Sequence, residues 1–322
     1  MRKIISIALV VIMMLSVVSC GSSSETNTGT VTVESAEKEE LKEPENKPEQ
    51  TDEKDDDASD FWADLVSDPD KKEGVADVSI EEAVLLEESG VRITAKSFEQ
   101  DSLFGPSVKL LIENDSDKNL SVQTRSSSVN GYMVDIIFSS DVASGKKSNE
   151  EMTFMDSTLE LCGIETIADI EFSFHIYDSD TWDTYLDSEP VIIKTSAFEG
   201  YQYSYDDSGT PAYEDEGLII NVKDLKEDEI LGPELIFYIE NKSTKNLVIQ
   251  ADNVSVNGFM VSPIFSCSVA PGKHAIDAVT FMESDLEDND IEKISEVELS
   301  FHVYNDDKWS ESFNTDPIKL TF

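Results

Sequence analysis

His175 and His302 stand at matched places in two stretches of the chain, Ser173-Phe174-His175 and Ser300-Phe301-His302. Imidazole changes charge near neutral pH and is the commonest metal ligand. A zinc site, however, needs three or four donors converging on one point. Glu171 lies four residues back along an apparent strand, about 13 Å away at ~3.3 Å per residue, too far to share a metal with His175. The pattern reads as a half-exposed histidine pairing across strands. His274 falls in a loop where the other stretch has Lys147, and a base present in one copy only is a weak catalytic candidate. There is no G-x-S-x-G, and no S-x-x-K with its partner motifs. Cys162 and Cys267 align with Asn289 and Ser140. A disulfide between such non-equivalent places would need Cα atoms within about 7 Å, so both read as small buried hydrophobes. No nucleophile, base and orienting group come together. The chain reads as a non-enzyme, and no cofactor or metal is implied.

Two further groups could bind rather than react. Asp178-Ser179-Asp180-Thr181-Trp182-Asp183 puts carboxylates at spacings of two and three, the kind of cluster a calcium loop uses, and Asn305-Asp306-Asp307 repeats the place. Calcium takes six to eight oxygens, but the Gly and terminal Glu of an EF-hand are missing. Asp and Asn also favour hairpin turns for backbone reasons, so a turn is the better reading. The aromatic residues Tyr177 and Trp182, with their repeats Tyr304 and Trp309, are the candidate binding residues, since exposed Tyr and Trp are enriched at recognition surfaces. Tyr201, Tyr203 and Tyr205 follow at period two. The competing reading, which residue types favour, has Trp closing the sandwich end and the tyrosines cementing two domains together.

These residues recur because the chain is written twice. Shifted by 127 residues, 91–195 falls on 218–322 without a gap, with 43 of 105 positions identical. Val108, Leu110 and Ile112 alternate with Lys109, Leu111 and Glu113, and Ile170, Phe172, Phe174 and Ile176 alternate with polar residues. These are strands with one buried face. Asn130-Gly131 and Asn257-Gly258 predict type I′ hairpins between a strand ending at Val129 or Val256 and one starting at Tyr132 or Phe259. Ser157-Thr158-Leu159-Glu160 and Ser284-Asp285-Leu286-Glu287 fit a capping box before a short helical turn. Seven or eight short strands per copy predict an all-β fold: two tandem antiparallel β-sandwiches, each with one helical turn. The expected boundaries are 78–196 and 210–322, with a linker at 197–209 and the copies separate as beads.

The stretches Lys109–Leu120 and Val129–Phe138 resemble the immunoglobulin-like repeats of uncharacterised Gram-positive surface lipoproteins. The resemblance covers most of 80–322 and implies the sandwich architecture without a chemistry. The Cys…Trp…Cys arrangement of antibody domains is lacking.

The chain opens Met1-Arg2-Lys3, then runs apolar from Ile4 to Val18. This basic start and short apolar stretch match a secretory signal, too short for a comfortable transmembrane helix. Val17-Val18-Ser19-Cys20-Gly21 resembles the lipobox of bacterial lipoproteins. The resemblance implies a signal peptide over 1–19 and acyl chains (palmitate) on Cys20, with two or more chains giving stable anchoring. An ordinary cleaved signal with an incidental Cys is the alternative. Residues 20–77 then form an acidic tether too charged to bury a core. Within it Phe61/Leu65 and Trp62/Val66 sit at i,i+4, a candidate docking motif for a partner groove, or a segment that packs on the first domain or stays disordered.

With 24 Lys+Arg against 68 Asp+Glu and a net charge of −44 over 322 residues, the chain is unsuited to nucleic acid, whose phosphates are held by Lys and Arg. The function expected is that of a lipid-anchored lipoprotein on the extracytoplasmic face of the cell membrane, binding a protein or glycan. The alternative is a structural spacer or envelope-assembly component with no specific ligand.

Overall fold

The computed structural model describes residues 78–100, 102, 104–226 and 231–322. The anchor at Cys20 and the motif Phe61, Trp62, Leu65 and Val66 lie outside the described residues. No helix among the described residues is long and apolar enough to cross a membrane.

The first repeat comprises β1 (Ala83–Glu88), β2 (Val91–Glu99), β3 (Ser107–Asn114), β4 (Leu120–Val129), β5 (Tyr132–Met133), β6 (Ile136–Ile137), β7 (Ser139–Val142) and β8 (Lys146–Phe154). A helix, α1 (Asp156–Leu161), leads to β9 (Asp169–Asp178), β10 (Thr184–Asp187) and β11 (Val191–Lys194). The second repeat comprises β12 (Thr210–Asp215), β13 (Leu218–Lys226), β14 (Glu234–Asn241), β15 (Leu247–Val256), β16 (Phe259–Met260), β17 (Ser266–Val269) and β18 (His274–Thr280). It ends with α2 (Glu283–Asp288), β19 (Glu296–Asn305), β20 (Lys308–Asn314) and β21 (Ile318–Thr321). The fold is all-β, with these two short helices among the described residues.

Each repeat is a two-sheet sandwich. In the first, the sheet β1-β2-β3-β8-β6 faces the sheet built on β4 and β9. The alternating residues meet between them: Val108, Leu110 and Ile112 from β3 pack with Ile170, Phe172, Phe174 and Ile176 from β9. In the second, Leu235, Phe237 and Ile239 of β14 join Leu299, Phe301 and Val303 of β19. Burial of alternate apolar side chains is the main stabilising term of such a layer. Both Asn-Gly pairs form the expected turns, with φ of 50° and 82° at Asn130 and Gly131, and 50° and 86° at Asn257 and Gly258.

Two expectations are corrected. The capping boxes do not form. The chain passes straight from β8 or β18 into the helix, so Met155 and Met282 are the N-caps and neither receives a side-chain cap. The first free helical N–H of each is taken by a backbone carbonyl: Asp156 N donates to Phe104 O (3.1 Å), and Glu283 N to Leu231 O (3.0 Å). The repeats are also not separate beads. The described residues of both repeats fall in one compact unit. One ten-stranded sheet, with the path β10-β9-β4-β5-β18-β14-β13-β12, runs from the first repeat into the second. The crossing point is a parallel pairing of Tyr132 with His274.

Candidate interaction surfaces

Trp182 and Trp309 remain 75% and 76% exposed. They do not close the sandwich ends. Trp182 sits in the β9–β10 connection with φ of 65°, where its N–H donates to Asp178 O at 2.7 Å. Its indole lies flat on Tyr177, with centroids 5.5 Å apart and planes within 17°. In the second repeat the β19–β20 turn is shorter, Trp309 lies on β20 itself, and Tyr304 is 6.3 Å away at 59°. His175 and His302 extend the rows, 5.8 Å from Tyr177 and Tyr304. Each repeat thus presents His, Tyr and Trp in line, the Trp outermost.

The groups around these rows hold them in place. His175 Nδ1 meets Asp187 Oδ1 on the paired strand at 2.5 Å, and His302 Nδ1 meets Asn314 Oδ1 at 2.5 Å. These are cross-strand pairs. The acidic turn is likewise occupied: Lys118 Nζ donates to Asp178 Oδ2 at 2.6 Å and Asp180 N to Asp178 Oδ1 at 3.0 Å. Lys118 therefore holds the Asp178 carboxyl below its usual range. Beside Trp309, hydrogen bonds from Lys308, Lys245 and Asn305 lower the Glu311 carboxyl to about 2. No group of three or more potential ligands among the described residues is placed to hold a metal.

The linker tyrosines do join the repeats. Tyr201 OH receives Asn130 Nδ2 at 2.9 Å, Tyr203 OH donates to Asp169, and Tyr205 stacks on His274 with centroids 3.6 Å apart. His274 is the residue most changed from its sequence reading. It does not lie in a loop but is the first residue of β18, buried at the joint, with its backbone N–H donating to Gly131 O. Its Nδ1 meets Tyr238 OH at 2.7 Å. Burial holds its pKa below the ordinary value. Around it Tyr132, Cys162, Ile236, Tyr238 and Ile276 form a separate apolar cluster. At the rim Lys273 Nζ pairs with Glu171 Oε2 across the repeats at 2.7 Å.

That joint was legible in one signal. β14 reads Leu235-Ile236-Phe237-Tyr238-Ile239, apolar on both faces, where β3 reads Val108-Lys109-Leu110-Leu111-Ile112. A strand apolar on both faces has both faces covered.

Beside the joint lies a cleft of about 550 Å³ lined by Ser126, Ser127, Asp135, Cys267, Asp277 and neighbours. Burial raises the Asp277 carboxyl to about 6 and pushes the Cys267 thiol well up. A thiol held protonated is a poor nucleophile. The Cys267–Asp277 contact has a counterpart in the first repeat, where Ser140 Oγ donates to Glu150 Oε1 at 3.0 Å. Its recurrence with oxygen in place of sulfur marks it as part of the scaffold. Cys162 is also a free, buried thiol, raised to about 12 by burial.

No known family model matches the chain, and no curated protein matches it. Among solved structures it is similar to the YadV chaperone (12% identity, 66% of this chain and 92% of that one, TM-score 0.23). It is also similar to the Salmonella enterica SafA pilin in complex with the SafB chaperone (10% identity, 67% and 89%, TM-score 0.20). A third likeness is to red sea bream transglutaminase (10% identity, 73% and 31%, TM-score 0.19). Likeness at this level brings no function to the chain.

Proposed function

We propose that this protein is a lipid-anchored extracytoplasmic lipoprotein whose repeats act as a non-enzymatic binding module for a protein or glycan. The observation that carries the binding role is the pair of exposed indoles, Trp182 and Trp309, each backed by a tyrosine at an equivalent place in its repeat. A flat apolar ring with charged and amide groups at its edge suits stacking of a sugar ring or an apolar side chain. Two such rows on one compact unit allow two-point attachment, which raises avidity without new contacts. The acyl anchor rests on the lipobox resemblance at Cys20, and the net charge favours neutral or cationic ligands over anionic ones.

The test uses fluorescence. Of the three Trp in the chain, the third, Trp62, lies in the tether. With Trp62→Phe, emission therefore reports Trp182 and Trp309 alone. Saturable quenching by soluble cell-wall oligosaccharides or by an envelope protein, lost in Trp182→Ala/Trp309→Ala, supports the module. Unchanged emission across such a panel favours the spacer, for which the shared sheet serves only to lengthen the molecule.

A further inference from the structure

The second repeat carries a spare copy of the element by which the first repeat docks. In the first, Tyr132 and Met133 leave the Asn130-Gly131 turn and pack on the second repeat: Tyr132 is 4% exposed, and Met133 packs against the second core. Their equivalents, Phe259 and Met260, leave the Asn257-Gly258 turn 50% and 66% exposed, with Ile264 nearby at 44%. The polar partners of the joint are repeated as well. Asn130, Asp169 and Glu171 take Tyr201, Tyr203 and Lys273; Asn257, Glu296 and Glu298 occupy the same three positions in the second repeat. Glu298 is exposed.

We propose that the Phe259–Met260 hairpin is a docking face for a further β-sandwich repeat carried by a partner protein. That repeat would present a strand edge like β18, led by a lysine, beside an aliphatic and aromatic face like Ile236, Tyr238 and Ile276. The internal joint is the template: a parallel strand contact, an apolar face closing over the hairpin, and a Lys–Glu pair at the rim. The incoming lysine would meet Glu298 as Lys273 meets Glu171.

A second copy of this chain does not supply that face. Its own first repeat already covers Ile236, Tyr238 and Ile276. The equivalent face of its first repeat carries Lys109, Leu111, Lys147, Asn149 and Glu151. There Lys109 pairs with Glu151 (2.9 Å) and Glu99 (3.3 Å), and Lys147 with Glu113. That charged ladder caps one end of the array, as polar outer faces cap repeat proteins. The other end is left apolar.

The test extends the full chain by a second copy of its residues 196–322, which brings the required edge, face and linker tyrosines. Hydrogen exchange at Phe259 and Met260 and the small-angle scattering length are read together. Docking predicts slowing of exchange by at least about tenfold and one rigid three-repeat rod. Phe259→Ser/Met260→Ser should abolish both effects. Glu298→Lys, an exposed change that leaves the fold intact, should weaken them and be rescued by Glu at the appended copy's counterpart of Lys273. Unprotected amides and a freely moving third repeat would overturn the proposal. So would dimerisation of the unextended chain, or binding to phosphatidylglycerol vesicles, that is lost in Phe259→Ser/Met260→Ser. Those results would assign the face to a second copy or to lipid.

Discussion

His274 and Asp277 lie on the same strand and respond to pH in opposite senses. His274 is neutral in its stack because burial lowers its pKa, assisted by Lys242 and Lys273 and opposed by Glu240. The folded state therefore binds fewer protons there than the unfolded chain. Its contribution to stability is full above the ordinary histidine value near 6.5 and is lost as pH falls toward the lowered one. Asp277 shares its strand face with Ala275 and Val279 in the core, and burial raises it to about 6. The folded state binds more protons there, so its contribution is full below the ordinary carboxyl value and is lost as pH rises to about 6. Urea titrations from pH 4 to 7.5 should show His274→Phe removing an acid-side loss. Asp277→Asn should remove a loss on going from pH 4 to 6. At Trp182, where the side chain covers little, Trp182→Ala should change unfolding free energy by no more than about 0.5 kcal/mol, while removing any ligand quenching that the indole reports.

At the scale of elements, the entry to each helix leaves no room for a side chain on the facing loop. Gly105 and Gly232 sit at φ of 134° and 120°, and a Cβ there would lie 2.1 Å from Phe154 O and 2.2 Å from Phe281 O. Those carbonyls belong to the residues that hand the chain to α1 and α2, so the neighbour that must move is backbone. Gly105→Ala or Gly232→Ala should each cost on the order of 2–3 kcal/mol, measured by equilibrium denaturation. The same passage explains the missing capping boxes. With the chain entering the helix at Met155 and Met282, Ser157 and Ser284 already lie inside the first turn and not at the N-cap position. The S-x-x-E spacing is a local pattern, and here a non-local backbone contact takes its role.

For the whole molecule, the shared sheet joins the two repeats. The two sandwich cores are separate clusters, linked through the cluster of Tyr132, Cys162, Ile236, Tyr238 and Ile276. The first repeat carries Lys109 in place of Ile236 on the same strand, where it pairs with Glu99 and Glu151. Ile236→Lys should therefore release the joint while leaving both cores intact. Calorimetry should show one unfolding transition in the parent resolving into two in the variant. A single transition in both would mean that the shared backbone pairing alone couples the repeats.

The sequence by itself determined the repeat, the strands, the Asn-Gly turns and the all-β sandwich, because each is written in short-range terms: period-two burial and φ > 0 at a two-residue turn. The cross-strand place of His175 and His302 followed from the same periodicity. The tertiary structure decided which copies of a repeated residue are covered. Tyr132 and Phe259 follow the same turn, yet one is buried and the other exposed. His274, read as a loop histidine and a weak catalytic candidate, became the buried centre of a joint. Trp182 and Trp309, candidate binding residues with capping as the competing reading, stand exposed. Burial of Tyr132 and His274 depends on what arrives from the other repeat, more than a hundred residues away in the chain, and the two-faced apolar pattern of β14 records that a face is covered without saying by what.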